Sequence, residues 1–67
     1  MKIFGERLRE LRLDKGLSQK ELAEILHVSQ SVIADWERNI METDFEMLAK
    51  IARFFDVKSD FLIGLES

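Results

Sequence analysis

The chain has 67 residues, a net charge of −3, 46% hydrophobic content and neither cysteine nor proline. This excludes a disulfide scaffold or thiolate zinc site, a disordered chain and, with no apolar run near ~20 residues, a membrane-spanning helix. A core of this size rarely supplies more than ~3–5 kcal/mol, so the expectation is one small domain over residues 1–67. Met1-Lys2 leads straight into a charged amphipathic segment with no signal peptide, and a reducing cytoplasm is the simplest setting. Residues 1–20 carry six Lys/Arg and three Asp/Glu (+3), residues 21–67 four and ten (−6), so the −3 total hides a basic amino-terminal third.

Taken in order, residues 3–15 read as a first helix with Phe4, Leu8 and Leu11 on one stripe. Arg7, Arg9, Arg12 and Lys15 flank or oppose that stripe, and Leu13 falls on the polar side, half exposed. Gly16 ends the helix as its C′ residue. Ser18 and Glu21 form a capping box opening a second helix over 18–26, with Leu22, Ala23, Ile25 and Leu26 as its apolar positions. His27-Val28-Ser29 makes a tight turn. A histidine can take the left-handed conformation a helix end demands, and no nearby Ser, Cys or second His gives it a chemical role. Ser29 caps a third helix, about 30–38. At ~100° per residue, Ile33, Trp36 and Glu37 face inward, while Ser31, Ala34, Asp35 and Arg38 face outward. Asn39 stops it. After a loop at 40–43, Thr43 or Asp44 caps a fourth helix, with Thr43 and Glu46 as a second capping box. Phe45, Leu48, Ala49, Ala52 and Phe55 are its expected core stripe. Met47 at ~200° and Phe54 at ~180° from Phe45 then point away. A short fifth helix, about 58–63, closes the core with Phe61 and Leu62 and ends at Gly64.

A helix, a break of about three residues and a second helix is the helix-turn-helix arrangement, whose second helix can enter the DNA major groove. Ser18-Gln19-x-x-Leu22-Ala23 followed by Val28-Ser29-x-Ser31-x-Ile33-x-x-Trp36-Glu37 resembles the Cro/repressor-type helix-turn-helix family. Arg9-Glu10-Leu11-Arg12, Gly16-Leu17, Leu48-x-x-Ile51-Ala52 and Val57-x-x-Asp60-Phe61-Leu62-x-Gly64 match its pattern in order, from about Phe4 to Gly64. The resemblance implies an all-α, five-helix, lambda-repressor-like fold and sequence-specific binding of double-stranded DNA by a small transcriptional regulator. It places Gln30, Ser31 and Asp35 at base-reading positions and Gln19 on the DNA backbone; Val32 is further expected to meet a base, and Ser29, Arg12, Lys20 and Arg38 to contact the backbone. It also implies a largely buried ion pair between Arg12 and Glu37.

The chain departs from the pattern where His27 and Asn39 replace glycines and where the 40–43 loop lacks basic residues and proline. A homodimer on DNA is expected, with Met47, Phe54, Ile63 and Leu65 as a contact patch; the competing reading is that helix five covers these side chains within one copy. The alternative function is a helix-turn-helix scaffold for protein interaction with weak DNA binding, favoured by Asp35, Ile40, Met41, Glu42 and the net charge. No nucleophile sits beside a base, no metal ligands fall at working spacing and no glycine loop could cradle phosphate. Neither enzyme activity nor a metal, cofactor or small-molecule ligand is expected.

Overall fold

The computed structural model describes residues 2–65, and no strand occurs among them. Five helices follow in order: α1 Lys2–Asp14, α2 Gln19–Leu26, α3 Gln30–Glu37, α4 Phe45–Phe55 and α5 Ser59–Leu62. The fold is all-α, as the sequence leads one to expect. Local chemistry sets most boundaries. At the end of α1, Gly16 adopts φ 69°. That lets Gly16 N–H donate to Leu13 O at 2.9 Å and Leu17 N–H to Arg12 O at 3.1 Å, satisfying carbonyls the helix would leave open. At the start of α2 both bonds of the capping box form: Glu21 N–H donates to Ser18 Oγ at 3.0 Å, and Ser18 N–H to the Glu21 carboxylate at 2.9 Å. His27 closes α2 in the left-handed region, φ 60°, and Asn39 stands beyond α3 at φ 59°.

The core gathers one stripe from each helix. Phe4 and Leu8 come from α1, Leu22, Ala23 and Leu26 from α2, Ile33 and Trp36 from α3, and Leu62 from α5. Phe4 meets Trp36 edge-on, with ring centroids 6.3 Å apart. The contribution of α4 differs from the expectation. Its buried residues are Leu48, Ile51, Ala52 and Phe55, whereas Phe45 is 90% exposed. Phe45 is the first residue of the helix, directly after the N-cap. Helical side chains lean towards the N-terminus, so a first-turn residue reaches past the end of its own helix and finds no neighbour there. The cap is Asp44, whose carboxylate accepts Met47 N–H at 2.8 Å; the Thr43–Glu46 box does not form. Ile25, one of the four apolar positions of α2, is 38% exposed. It stands ~110° from the bisector of Leu22, Ala23 and Leu26 on the helical wheel.

Two contacts join distant segments. Gly5 N–H, near the start of α1, donates to Asn39 Oδ1 at 3.1 Å. A Cβ on Gly5 would lie 2.5 Å from Trp36 O and 2.7 Å from Glu37 O, so only glycine lets α1 cross this close to the end of α3. Lys50 of α4 donates to Leu26 O at 3.0 Å and places a cation at the carboxyl end of α2, where the helix dipole favours it.

Candidate nucleic-acid interface

Helices α2 and α3 pack directly on each other. Their relative pose is fixed by a polar cluster inside an otherwise apolar core. Arg12 Nε donates to Glu37 Oε2 at 2.6 Å, and Nη2 to Oε1 at 3.0 Å, a two-pronged pairing. Arg12 Nη1 donates to Leu17 O at 2.8 Å. Gln19 Nε2 completes the cluster, donating to Glu37 Oε1 at 3.2 Å. One carboxylate on α3 thus holds α1 through Arg12 and the first residue of α2 through Gln19. Side-chain exposures of 9% and 3% confirm the buried pair. Glu37 raises the Arg12 pKa through its hydrogen bonds and its charge, outweighing the opposing effect of burial.

With Ile33, Trp36 and Glu37 buried, α3 turns its other face to solvent. Gln30 and Ser31 are exposed at its amino end. The cap Ser29 accepts Val32 N–H at 3.4 Å, and its Oγ lies 3.0 Å from Ser31 Oγ. Val32 is partly buried and packs against the core, so only part of its side chain reaches the outer face. Asp35, one turn further, takes a hydrogen bond from Arg38 at 3.1 Å. That i,i+3 pair is open to water, with side-chain exposures of 66% for Arg38 and 34% for Asp35. The outer face therefore carries amide, hydroxyl, carboxylate and guanidinium groups within two turns, together with the unbonded N–H groups of a helix N-terminus. Such a set can donate to phosphate oxygens and both donate to and accept from base edges.

The expected interface residues therefore separate. Gln30, Ser31, Asp35 and Arg38 share the outward face of α3, with Val32 at its flank. Gln19 and Lys20 stand at the amino end of α2, Gln19 half buried by its bond to Glu37 and Lys20 exposed. Arg12 does not belong with them. All three of its nitrogens are engaged and the residue is 7% exposed, so it holds the scaffold and cannot reach a phosphate. Other cations are also bound within the fold. Arg7 donates to Phe61 O and lies over the Phe61 ring at 4.3 Å, and Lys15 lies 5.3 Å from the centre of the Phe54 ring. The basic character of residues 1–20 is thus partly spent on internal contacts.

The expected dimer patch does not form a free face. Met47, Phe54 and Ile63 are partly buried and pack against the core, leaving Leu65 as its exposed member at 75%. Phe54 meets Phe55 edge-on at 4.8 Å. The sequence reading also missed the anchoring roles of Gly5, Asn39 and Lys50; a glycine inside a helical pattern was the one signal available for the first.

Two short helices locked across a tight turn, with the second presenting a polar outer face, define a helix-turn-helix protein. The helix-turn-helix family profile matches residues 8–62, and the chain belongs to that family. It is 35% identical over 61 residues to the HTH-type transcriptional regulator ImmR of Bacillus subtilis, covering 91% of this chain and 48% of that protein. It is 41% identical over 63 residues to the HTH-type transcriptional activator BcrR of Enterococcus faecalis, covering 94% and 31%. The chain thus spans half the length, or less, of these two relatives. Among solved structures it superposes on the P22 c2 repressor in complex with a synthetic operator with a TM-score of 0.87 and 27% identity, covering 98% and 100%. The restriction-modification controller protein C.AhdI of Aeromonas hydrophila gives 0.80 and 36%, covering 91% and 92%. The neighbours are lambda-like repressor folds, in agreement with the five-helix expectation. No helix among the described residues is long and apolar enough to cross a membrane.

Proposed function

We propose that the 67 residues act as one DNA-binding unit of a transcriptional regulator, a binding protein rather than an enzyme, working in the compartment that holds the DNA. Helix α3 lies in the major groove of double-stranded DNA. Gln30, Ser31 and Asp35 meet base edges, with the exposed part of Val32 against a thymine methyl. Gln19, Ser29, Lys20 and Arg38 hold phosphates. The carrying observation is the division of α3 into a buried face and a polar outer face, fixed by the Arg12–Glu37–Gln19 cluster. Two copies bind together on a two-fold site with half-sites about one helical turn, ~34 Å, apart. Because Met47, Phe54 and Ile63 are committed to the core, the DNA rather than a preformed apolar face brings the copies together.

The acidic balance favours a second reading, a helix-turn-helix scaffold that binds protein and reads no DNA sequence. One experiment separates them: selection from a genomic-fragment library at two salt concentrations. The regulator recovers a shared sequence whose log K falls with log salt. Recovery of no shared sequence at low salt supports the scaffold.

A further inference from the structure

The carboxyl end of α3 carries a charge arrangement that helix stability does not ask for. Asp35 lies in the last turn, where the helix dipole disfavours a carboxylate. On the outward face, DNA phosphates would repel it further. Its Oδ1 accepts Arg38 Nη2 at 3.1 Å, while its Oδ2 accepts no hydrogen bond among the described residues. Arg38 is equally incomplete. One N–H of Nη2 serves Asp35, and the remaining guanidinium N–H groups have no partner among the described residues. In water such an open pair contributes little to stability, so stability does not explain it.

The two side chains stand on one closed turn. Ile40 N–H donates to Asp35 O at 2.9 Å and Asn39 N–H to Trp36 O at 3.1 Å, the paired bonds of a left-handed helix stop. Asn39 is itself tied to α1, since its Oδ1 accepts Gly5 N–H. The backbone under Asp35 and Arg38 is therefore clamped, and their geometry is set by side-chain rotation alone. We infer that Arg38 is a positioning residue for base reading: its guanidinium bridges the Asp35 carboxylate to a DNA phosphate. With Oδ1 so held, Oδ2 faces the exocyclic amine of cytosine in the groove. The inference rests on the proposed placement of α3 in the major groove. A guanidinium suits the role because its donors form a rigid planar fork that can serve two anions at once. It also cancels the charge that would push Asp35 away from the phosphates. Without Arg38 the carboxylate turns towards water, and the cytosine preference goes with it.

Binding-site selection and salt titration on the full chain test this with Arg38→Ala, Arg38→Lys and Asp35→Ala, singly, and with the double variant Asp35→Ala/Arg38→Ala. Arg38 is exposed, so its variants keep the fold, and unchanged thermal melting confirms this. The parent prefers cytosine at the Asp35 position by about 5-fold or more, and Arg38→Ala brings that preference below ~2-fold. Arg38→Ala also lowers the salt slope by about 0.9 per bound copy, for one lost phosphate contact. Arg38→Lys keeps the slope, since a charge still meets the phosphate. It nevertheless loses most of the preference, because an ammonium has no fixed fork. In the Asp35→Ala background, Arg38→Ala changes the base profile no further, as for two groups acting together. A slope that falls in Arg38→Ala while the cytosine preference stays makes Arg38 a phosphate contact alone and overturns the inference. A preference that falls with the slope unchanged removes the bridge and overturns it too, as does full preference in Arg38→Lys. If no position in the parent's sites responds to Asp35→Ala, the base contact of Asp35 itself fails, and the inference with it.

Discussion

Replacing Glu37 by alanine strands a guanidinium inside the protein. Arg12 would keep its bond to Leu17 O at 2.8 Å and lose those at 2.6 and 3.0 Å, while remaining at 7% exposure. Gln19 would lose its acceptor as well. Breaking one side of a buried ion pair costs ~3–5 kcal/mol. At ~0.05–0.15 kcal/mol per residue, a chain of this length has about 3–10 kcal/mol in total. Glu37→Ala should therefore remove a third or more of the stability and lower Tm by at least ~12 °C, at 4–8 °C per kcal/mol. Trp36, the one tryptophan, is 4% exposed and reports unfolding by fluorescence in a urea titration. The double variant Arg12→Met/Glu37→Leu removes both charges and keeps the volume, so it should fall within about 1 kcal/mol of the parent. The raised Arg12 pKa adds a constraint. Its contribution is complete below the ordinary arginine value and is lost only as pH rises through the higher folded value, so it leaves no trace in melts at ordinary pH. A midpoint for Glu37→Ala no lower than that of Lys20→Ala would refute the argument, as would a double variant losing the sum of the single losses.

Three further substitutions test single contacts. Gly5→Ala drives a methyl to within 2.5 Å of Trp36 O and 2.6 Å of Asn39 Oδ1. Backbone must shift, and calorimetry should find a loss of about 1–3 kcal/mol, as for an overpacked core, despite alanine's better helix propensity. His27→Gly removes the left-handed penalty at φ 60° and should stabilise by about 1 kcal/mol, read as a higher urea midpoint. Ser18→Ala removes the α2 cap, at a cost of about 0.5–2 kcal/mol. Hydrogen bonds from the Ser18 backbone and side chain hold the Glu21 carboxyl below the usual glutamate range. Its contribution is therefore present above the unfolded pKa and lost as pH falls through the lower folded value. An NMR titration should find the Glu21 carboxyl moved only part of the way back in Ser18→Ala, because the backbone N–H of residue 18, the larger cause, still donates to it.

The helix-turn-helix was legible because its signals are local. Ser18, Glu21, Ser29 and Gly16 cap or terminate helices through bonds spanning five residues or fewer, and each acted where the sequence placed it. Leu22, Ala23, Leu26, Ile33 and Trp36 kept a helical period and were buried. The phase of α4 was not legible in the same way. The buried set Leu48, Ile51, Ala52 and Phe55 centres ~290° around the wheel from Phe45, so Phe45, Met47 and Phe54 flank it on either side. Hydrophobicity alone could not rank the two flanking phenylalanines and the methionine against one another; the ends of the helix and the position of α5 did. The buried ion pair came from the family resemblance, since by sequence alone Arg12 and Glu37 are ordinary charges 25 positions apart. The tie between Gly5 and Asn39, 34 residues apart, carries no local pattern at all.

The central claim is that the outer face of α3 reads base edges, and Asp35 tests it most directly. Its carboxylate already accepts Arg38 at 3.1 Å on one oxygen, and the one base donor suited to a carboxylate in the major groove is the exocyclic amine of cytosine. A binding-site selection with the parent, Asp35→Ala and Asp35→Lys should find cytosine preferred at one position per half-site by about 1–3 kcal/mol. Asp35→Ala should flatten that position alone and tighten binding to random DNA, since a negative charge facing phosphate is removed. Asp35→Lys should tighten it further and move the preference to guanine. A base profile unchanged by either substitution would contradict the account.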